Sequence, residues 1–278
     1  MFTKLSKTGI SAATFTAAAA VATGLVATMG ATQASAASTA LGGSHIALHF
    51  NLAAGQTPEN IALDPDGNQY VTFAKARQVA EIFRSGRVRV LATMPLPADG
   101  GVHTPALGFP LTVGITRAAD GTIYFLYATG TADLTGVWRM HPGNTPERIA
   151  ALPAAGLPNG LKIHDGAIWA TNLDKGTVLR IPILPNGTAG AVQIKATGLA
   201  GIDDFAFTGH GDQILAALDT VDEVALVQPD GTHTIILTAA DGLQGPSSVA
   251  VRGDTAYIMS AAYLTATDPN EITAHLND

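Results

Sequence analysis

The chain has 278 residues, 47% hydrophobic and 13% charged, with 22 acids against 15 bases and no cysteine. This composition supports a sizeable core and excludes whole-chain disorder, disulfide stapling, thiol nucleophiles and anchoring through a lipidated cysteine. The net charge of −7 makes nucleic acid and anionic membrane poor partners.

Lys4 and Lys7 precede an Ala/Val/Thr-rich run that extends to about Met29, and Ala34-Ser35-Ala36 supplies the small residues that a signal peptidase reads. Residues 1–36 are therefore expected to be a secretory signal peptide cleaved after Ala36. The run is interrupted by Thr and Gly rather than dense in Leu and Ile, which argues against an uncleaved membrane anchor. Cleavage removes two bases and no acid, so the mature net charge is about −9. Residues 37–44 read as a spacer and 45–278 as one domain. The expectation is a secreted, bacterial-type exported protein, monomeric and away from the membrane once the signal is removed.

His45–Leu52 alternates as a strand does but has no partner strand nearby. A full unit follows, with strands at Asn60–Leu63, Gln69–Phe73, Gln78–Phe83 and Arg87–Thr93 and tight-turn residues at Asp66-Gly67 and Ser85-Gly86. Residues 95–110 carry four prolines and three glycines and read as a long loop. Comparable units open near Leu111, Pro158, Ile202 and Pro246, at spacings of about 53, 47, 44 and 44 residues. The last has only three strands of its own, and the orphan strand near residue 45 supplies the fourth. Fixed-period units of four short strands predict an all-β fold: a β-propeller of four-stranded blades, five units counted, whose ring closes where the N-terminal strand pairs with the last blade. A sixth blade stays open as an alternative if 95–110 holds a degenerate unit.

The innermost strand of each blade lines the central channel, so equivalent positions in the blade openings meet in space. Aligning the openings superposes Glu59, Leu111, Asn159, Asp203 and Ser247; a shift of one residue would substitute Asp204 for Asp203. Two acids in a narrow channel repel each other and need a compensating cation or a shared proton. Carboxylate and carboxamide oxygens suit a hard divalent ion, Ca²⁺ first, with Mn²⁺ or Mg²⁺ as alternatives, whereas Zn²⁺ would call for His or Cys. The bland reading is that these polar residues only solvate a water-filled channel.

The openings Pro58-Glu59-Asn60, Pro158-Asn159-Gly160-Leu161 and Ile202-Asp203-Asp204-Phe205 resemble those of the regucalcin/gluconolactonase/luciferin-regenerating-enzyme family. That resemblance implies a six-bladed propeller with a calcium-type metal held by Glu59, Asn159 and Asp203. It also implies hydrolysis of a lactone or similar cyclic ester by metal polarisation of the carbonyl and water attack assisted by Asp203. The chain departs from the family where a substrate-facing Asn is usual: Leu111 and Thr112 stand there. Substrate contacts are therefore assigned to Leu111, Thr112, Ser247 and His103, the last from the long loop, and the expected partner is a small-molecule substrate. Two other resemblances compete. NHL-repeat proteins imply a non-catalytic propeller that binds a ligand or protein. Streptogramin lyases, metal-dependent seven-bladed enzymes, are similar to Val113-Gly114-Ile115-Thr116 with Asp120-Gly121-Thr122-Ile123-Tyr124-Phe125.

The remaining candidates read as structural. His164 and His210 fall at hairpin turns, where exposure is the default. Asp133, Asp174, Lys175 and Asp219 follow second strands and could line the same mouth, although loop charges are by default solvated. Trp138 and Trp169 lie on strands and read as packing between blades. No Gly-x-Ser-x-Gly elbow is present, so an α/β-hydrolase triad has no basis.

Overall fold

The computed structural model describes residues 40–93, 111–128, 134–141, 144–153 and 156–277, and only the backbone of 111–113. Residues 1–39, which contain the expected signal, and the loop with His103 lie outside the described residues.

The structure is a five-bladed β-propeller. Blade I holds β2 (Pro58–Leu63), β3 (Gln69–Phe73), β4 (Gln78–Ile82) and β5 (Val88–Thr93). Blade II holds β6 (Leu111–Arg117), β7 (Ile123–Ala128), β8 (Gly136–Met140) and β9 (Glu147–Ala151). Blade III holds β10 (Pro158–His164), β11 (Ala167–Asn172), β12 (Thr177–Pro182) and β13 (Gln193–Ala196), and blade IV holds β14 (Ile202–Phe207), β15 (Ile214–Leu218), β16 (Glu223–Val227) and β17 (His233–Leu237). Blade V is built from β18 (Pro246–Arg252), β19 (Thr255–Ser260), β20 (Asn270–Leu276) and, outermost, β1 (Leu41–His49).

Closure by the N-terminal strand therefore occurs as the sequence suggests, with different bounds. β1 pairs antiparallel with β20 from Leu41↔Leu276 to His49↔Asn270, so it begins inside the stretch expected to be spacer. It ends before Leu52, because Leu52–Ala54 turns as a short 3₁₀ segment whose first turn is capped by the Asn51 side chain, which accepts from Ala54 N at 3.0 Å.

The core is divided among the wedges between blades. Trp169, Phe205, Ile202 and Leu218 fill the wedge between blades III and IV, and Leu126, Leu161, Ile168 and Ile181 that between II and III. Val71, Phe73 and Ile82 meet Phe50 and Met259 between blades I and V. All five residues of β15 are buried, since a neighbouring blade covers each of its faces. Trp169 is a packing residue, as its position on a strand suggests, while the half-buried Trp138 sits edge-on to Tyr127 and donates from Nε1 to the Leu134 carbonyl at 3.0 Å.

One irregularity recurs at the start of every inner strand. In blade I, Pro58 pairs with Phe73 and Asn60 with Thr72, leaving Glu59 as an extra residue; in blade V, Ser247 is extra between Pro246↔Ser260 and Ser248↔Met259. Blades II, III and IV also carry one extra residue each, within 113–114, 159–160 and 203–204. An extra residue in one strand of a pair is a β-bulge, which bends the strand and re-aims the side chains beside it.

The ladder register corrects one alignment made from the sequence. Thr112 pairs with Tyr127 immediately before the bulge, as Pro58 and Pro158 do before theirs, so Val113 and not Leu111 is the blade II equivalent of Glu59. The Pro-rich loop before residue 111 obscured this two-residue offset.

Without β1, β20 becomes a free edge in the last blade, and its apolar cover from Leu41 and Ile46 is lost. A chain beginning at Asn51 is expected to aggregate or melt well below the full domain, read by size-exclusion chromatography and thermal unfolding. A monomer with unchanged melting temperature would show that β1 is dispensable for closure.

Candidate functional site at the channel mouth

The five bulges place their residues at one end of the channel. Glycine occupies two of these positions because the next inner strand passes too closely for a side chain. A Cβ on Gly160 would lie 2.7 Å from Asp204 Oδ1 and 2.9 Å from its Cα, and a Cβ on Gly114 would lie 2.3 Å from the Asn159 carbonyl oxygen. The bulge amides find partners in second strands: Asn60 N donates to Thr72 Oγ1 at 3.2 Å and Gly160 N to Thr171 Oγ1 at 2.7 Å. Thr171 in turn donates to the Asp203 carbonyl at 2.6 Å, linking blade III to blade IV.

Asn159 and Asp203 meet at a cavity of about 20 Å³, room for roughly one water-sized occupant, lined also by Asn60, Gly160, Lys162 and Asp204. Asp203 is 6% exposed, and its carboxyl has no hydrogen-bond partner among the described residues. Its pKa lies well above the usual carboxylate range, first through burial and then through the charges of Glu59, Asp219 and Asp204, with Lys162 opposing. Glu59 is raised by burial and by Asp219 and Asp204, against the hydrogen bond that it accepts from the Tyr263 hydroxyl. Tyr263 is itself pushed up by burial and by Glu59. Asp219, at the start of a 3₁₀ turn after β15, is raised to about 6 by burial and by Asp222, and its Oδ1 is buried without a partner.

Asp203 and Asp204 differ in environment. Lys162 Nζ sits 2.7 Å and 2.9 Å from the two oxygens of Asp204, and Ser248 Oγ donates to Asp204 Oδ2 at 2.8 Å. Asp204 is thus a satisfied buried ion-pair member, whereas Asp203 feels the Lys162 charge but has no hydrogen-bond partner for its carboxyl among the described residues. The oxygens of Glu59, Asn159 and Asp203 match a hard cation chemically, and the Asp203 carboxyl, without a hydrogen-bond partner among the described residues, is the observation that favours that fit.

The other sequence candidates do not gather here. Ser247 is 1% exposed and gives its hydroxyl to the Pro58 carbonyl at 2.8 Å, so it fastens blade V to blade I rather than facing a ligand. Leu111 and Thr112 precede their bulge, and His103 lies outside the described residues. Sequence reasoning passed over Tyr263, which comes from the non-repeating segment between β19 and β20, and Lys162, whose only signal was a cation between the apolar Leu161 and Ile163 of an inner strand. Of the loop charges that could line the mouth, Asp219 does come close to it: the turn after β15 leaves it near enough for its charge to act on Asp203 and Glu59.

A second acid/histidine group stands about 17 Å further along β10, at its far end. His164 Nε2 lies 3.5 Å from Asp212 Oδ1 and 3.6 Å from Asp165 Oδ2, and the three ligand atoms lie within 4.8 Å of one another. His164 is not the exposed turn residue its position suggested: its ring stacks on Phe207 with centroids 3.8 Å apart. Lys195 Nζ, 3.6 Å from Asp212 Oδ2, already supplies a positive charge to this group.

No protein-family model matches the sequence, and no curated protein matches it. Solved structures do resemble the fold. A streptogramin B lyase aligns with TM-score 0.55 and 14% identity over 86% of this chain and 99% of its own, and a luciferin-regenerating enzyme with TM-score 0.51 and 11% identity over 85% and 91%. A gluconolactonase from Xanthomonas campestris aligns at TM-score 0.49 and 16% identity over 80% and 72%. Structural neighbours thus include the family that the blade openings resemble. At these identities the likeness carries the propeller fold.

The raised Asp219 has a directional consequence for stability. A carboxyl whose folded pKa exceeds its unfolded value binds more protons when folded, so its contribution is favourable at low pH and is lost as pH rises from about 4 through about 6. Asp219→Asn removes the forced ionisation and is expected to stabilise the protein by about 1–3 kcal/mol at pH 8 and by almost nothing at pH 4. Thermal unfolding at the two pH values checks this; an equal effect at both would show that Asp219 does not titrate near 6.

Proposed function

We propose that the protein is a secreted, metal-dependent hydrolase of a small lactone or similar cyclic ester. What supports this reading is the buried Asp203 carboxyl, without a hydrogen-bond partner among the described residues, beside Asn159 at a one-water cavity, with Glu59 close enough for its charge to act on Asp203. Buried acids without compensation cost several kcal/mol, a cost retained where it serves binding or chemistry.

In this reading Glu59, Asn159 and Asp203 hold a divalent cation, Ca²⁺ first, which when bound polarises the carbonyl and lowers the pKa of water. The chain's own residues do the rest. Asp203 takes a proton from the water held in the cavity as its oxygen attacks the carbonyl carbon, and returns that proton to the ring oxygen as the C–O bond breaks. Tyr263 orients Glu59 through its hydroxyl hydrogen bond, and Gly160 keeps the strand backbone close enough for the cavity to stay one water wide. The substrate class rests on the resemblance of the openings, and export rests on residues 1–36.

Asp203→Asn is expected to lower turnover of a responsive lactone at least 100-fold, and Glu59→Gln to weaken the cation dependence of that turnover, in an assay over lactones and esters with Ca²⁺, Mn²⁺ or Mg²⁺. Each cation should also raise the melting temperature of the wild type more than that of either variant. Unchanged turnover in Asp203→Asn would sink the hydrolytic role. A wild-type melting temperature indifferent to every cation would favour a metal-free binding propeller instead.

A further inference from the structure

Lys162 is the one cation at the mouth among the described residues that lines the cavity, and its geometry is unusually constrained. It stands on β10 three residues beyond Asn159, and its ammonium is held by both oxygens of Asp204 at 2.7 Å and 2.9 Å. Asp204 is fixed in turn by Ser248 at 2.8 Å and is 3% exposed. An ammonium has three protons, and Asp204 occupies two. The ammonium also lies 5.8 Å from the centroid of the Phe205 ring, but among the described residues no second acceptor takes its third proton, and the side chain is 32% exposed in a cavity that it shares with Asn159 and Asp203. A lysine needed only to neutralise Asp204 would be satisfied equally well from a buried or a solvent-facing position; this one lines the cavity that also holds Asp203.

We infer that Lys162 is a substrate-contacting residue that donates its third proton, as a hydrogen bond, to the carbonyl oxygen of an acyl substrate and to the oxyanion formed on attack. This rests on the hydrolase reading above and deepens it: the site takes esters or lactones whose product is a carboxylate. The balance is simple. The water oxygen bonds to the carbonyl carbon, its proton passes to Asp203, and the carbonyl electron pair moves onto the oxygen facing Lys162. Collapse re-forms the C=O bond and expels the ring oxygen, which takes the proton from Asp203. The Lys162 proton stays on nitrogen throughout. A donor immobilised before the reaction begins needs little rearrangement as charge develops, which is where such donors contribute most. The cavity has room for one water-sized occupant, the attacking water of this reading, so the carbonyl and the rest of the substrate lie on its mouth side, where the part-exposed Lys162 side chain can meet them.

The contact is measurable without turnover. The probe is 4-hydroxybutanoate, a small hydroxycarboxylate, titrated into the full chain by calorimetry and by NMR line broadening, with and without Ca²⁺. The variant Lys162→Met/Asp204→Asn removes both members of the pair and leaves no unpaired buried charge. Lys162→Gln, which keeps a donor toward Asp204 but no charge, guards against misfolding of the double variant. Both should bind the probe at least tenfold more weakly than wild type while keeping the wild-type melting shift with Ca²⁺. On any lactone that wild type turns over, kcat should fall about 100-fold in both variants.

Equal probe binding in wild type and both variants, or no binding by wild type, overturns the assignment. If no lactone is turned over and no cation shifts the melting temperature, the hydrolase reading fails. The probe titration then still decides whether Lys162 contacts a carboxylate.

Discussion

The site depends on one added residue per inner strand. A regular strand of blade I would alternate Pro58, Glu59 and Asn60 across the sheet, sending only every second side chain toward the axis. The bulge opposes two residues to one, so consecutive side chains at Glu59–Asn60, Asn159–Gly160 and Asp203–Asp204 come to the same mouth. It also brings each inner strand against the next, which is why position 160 must be glycine and why the Ser247 hydroxyl reaches the Pro58 carbonyl of the following blade. The same distortion gathers the functional groups and joins the blades.

Gathering acids in this way creates an electrostatic conflict, and the mouth resolves only part of it. Asp204 is matched by Lys162 and Ser248, and Glu59 has the Tyr263 hydroxyl. Among the described residues Asp203 has neither kind of hydrogen-bond partner, and Asp219 keeps a buried oxygen without one. The mouth is therefore an internally neutral pair beside a group of carboxyls whose protons are held more tightly than in water. Such a group responds to a cation or to a proton, and both are what acid/base chemistry at a carbonyl requires.

Stability is assembled differently. Each wedge between blades buries its own apolar set, and the wedge between the first and last blades is completed by Phe50, just beyond β1, and by Met259 of β19. There Gln69 Nε2 of blade I donates to Glu271 Oε1 of blade V at 2.7 Å, and burial raises Glu271 to about 7. The closing interface thus carries its own buried acid, away from the mouth. Conserving the ring does not depend on the chemistry at Asp203, so the two can be perturbed separately.

Much of this was legible in the chain itself. Strand alternation, Asp-Gly turns and the repeat spacing define four-stranded blades, and an orphan strand before residue 50 facing a three-stranded last unit requires the closure observed, because such signals are local and recur. The order Glu59, Asn159, Asp203 was legible for the same reason: equivalent positions of a repeat occupy equivalent places. What only the tertiary structure decided depends on register and on contacts between blades. A shift of one residue moves a side chain to another face, so the choice between Asp203 and Asp204, and between Leu111 and Val113, had to await the ladders. Tyr263 and Asp219 meet the site from segments outside the inner strands, and the partner of Lys162, Asp204, lies on the next blade, so these pairings exist only once the blades have packed.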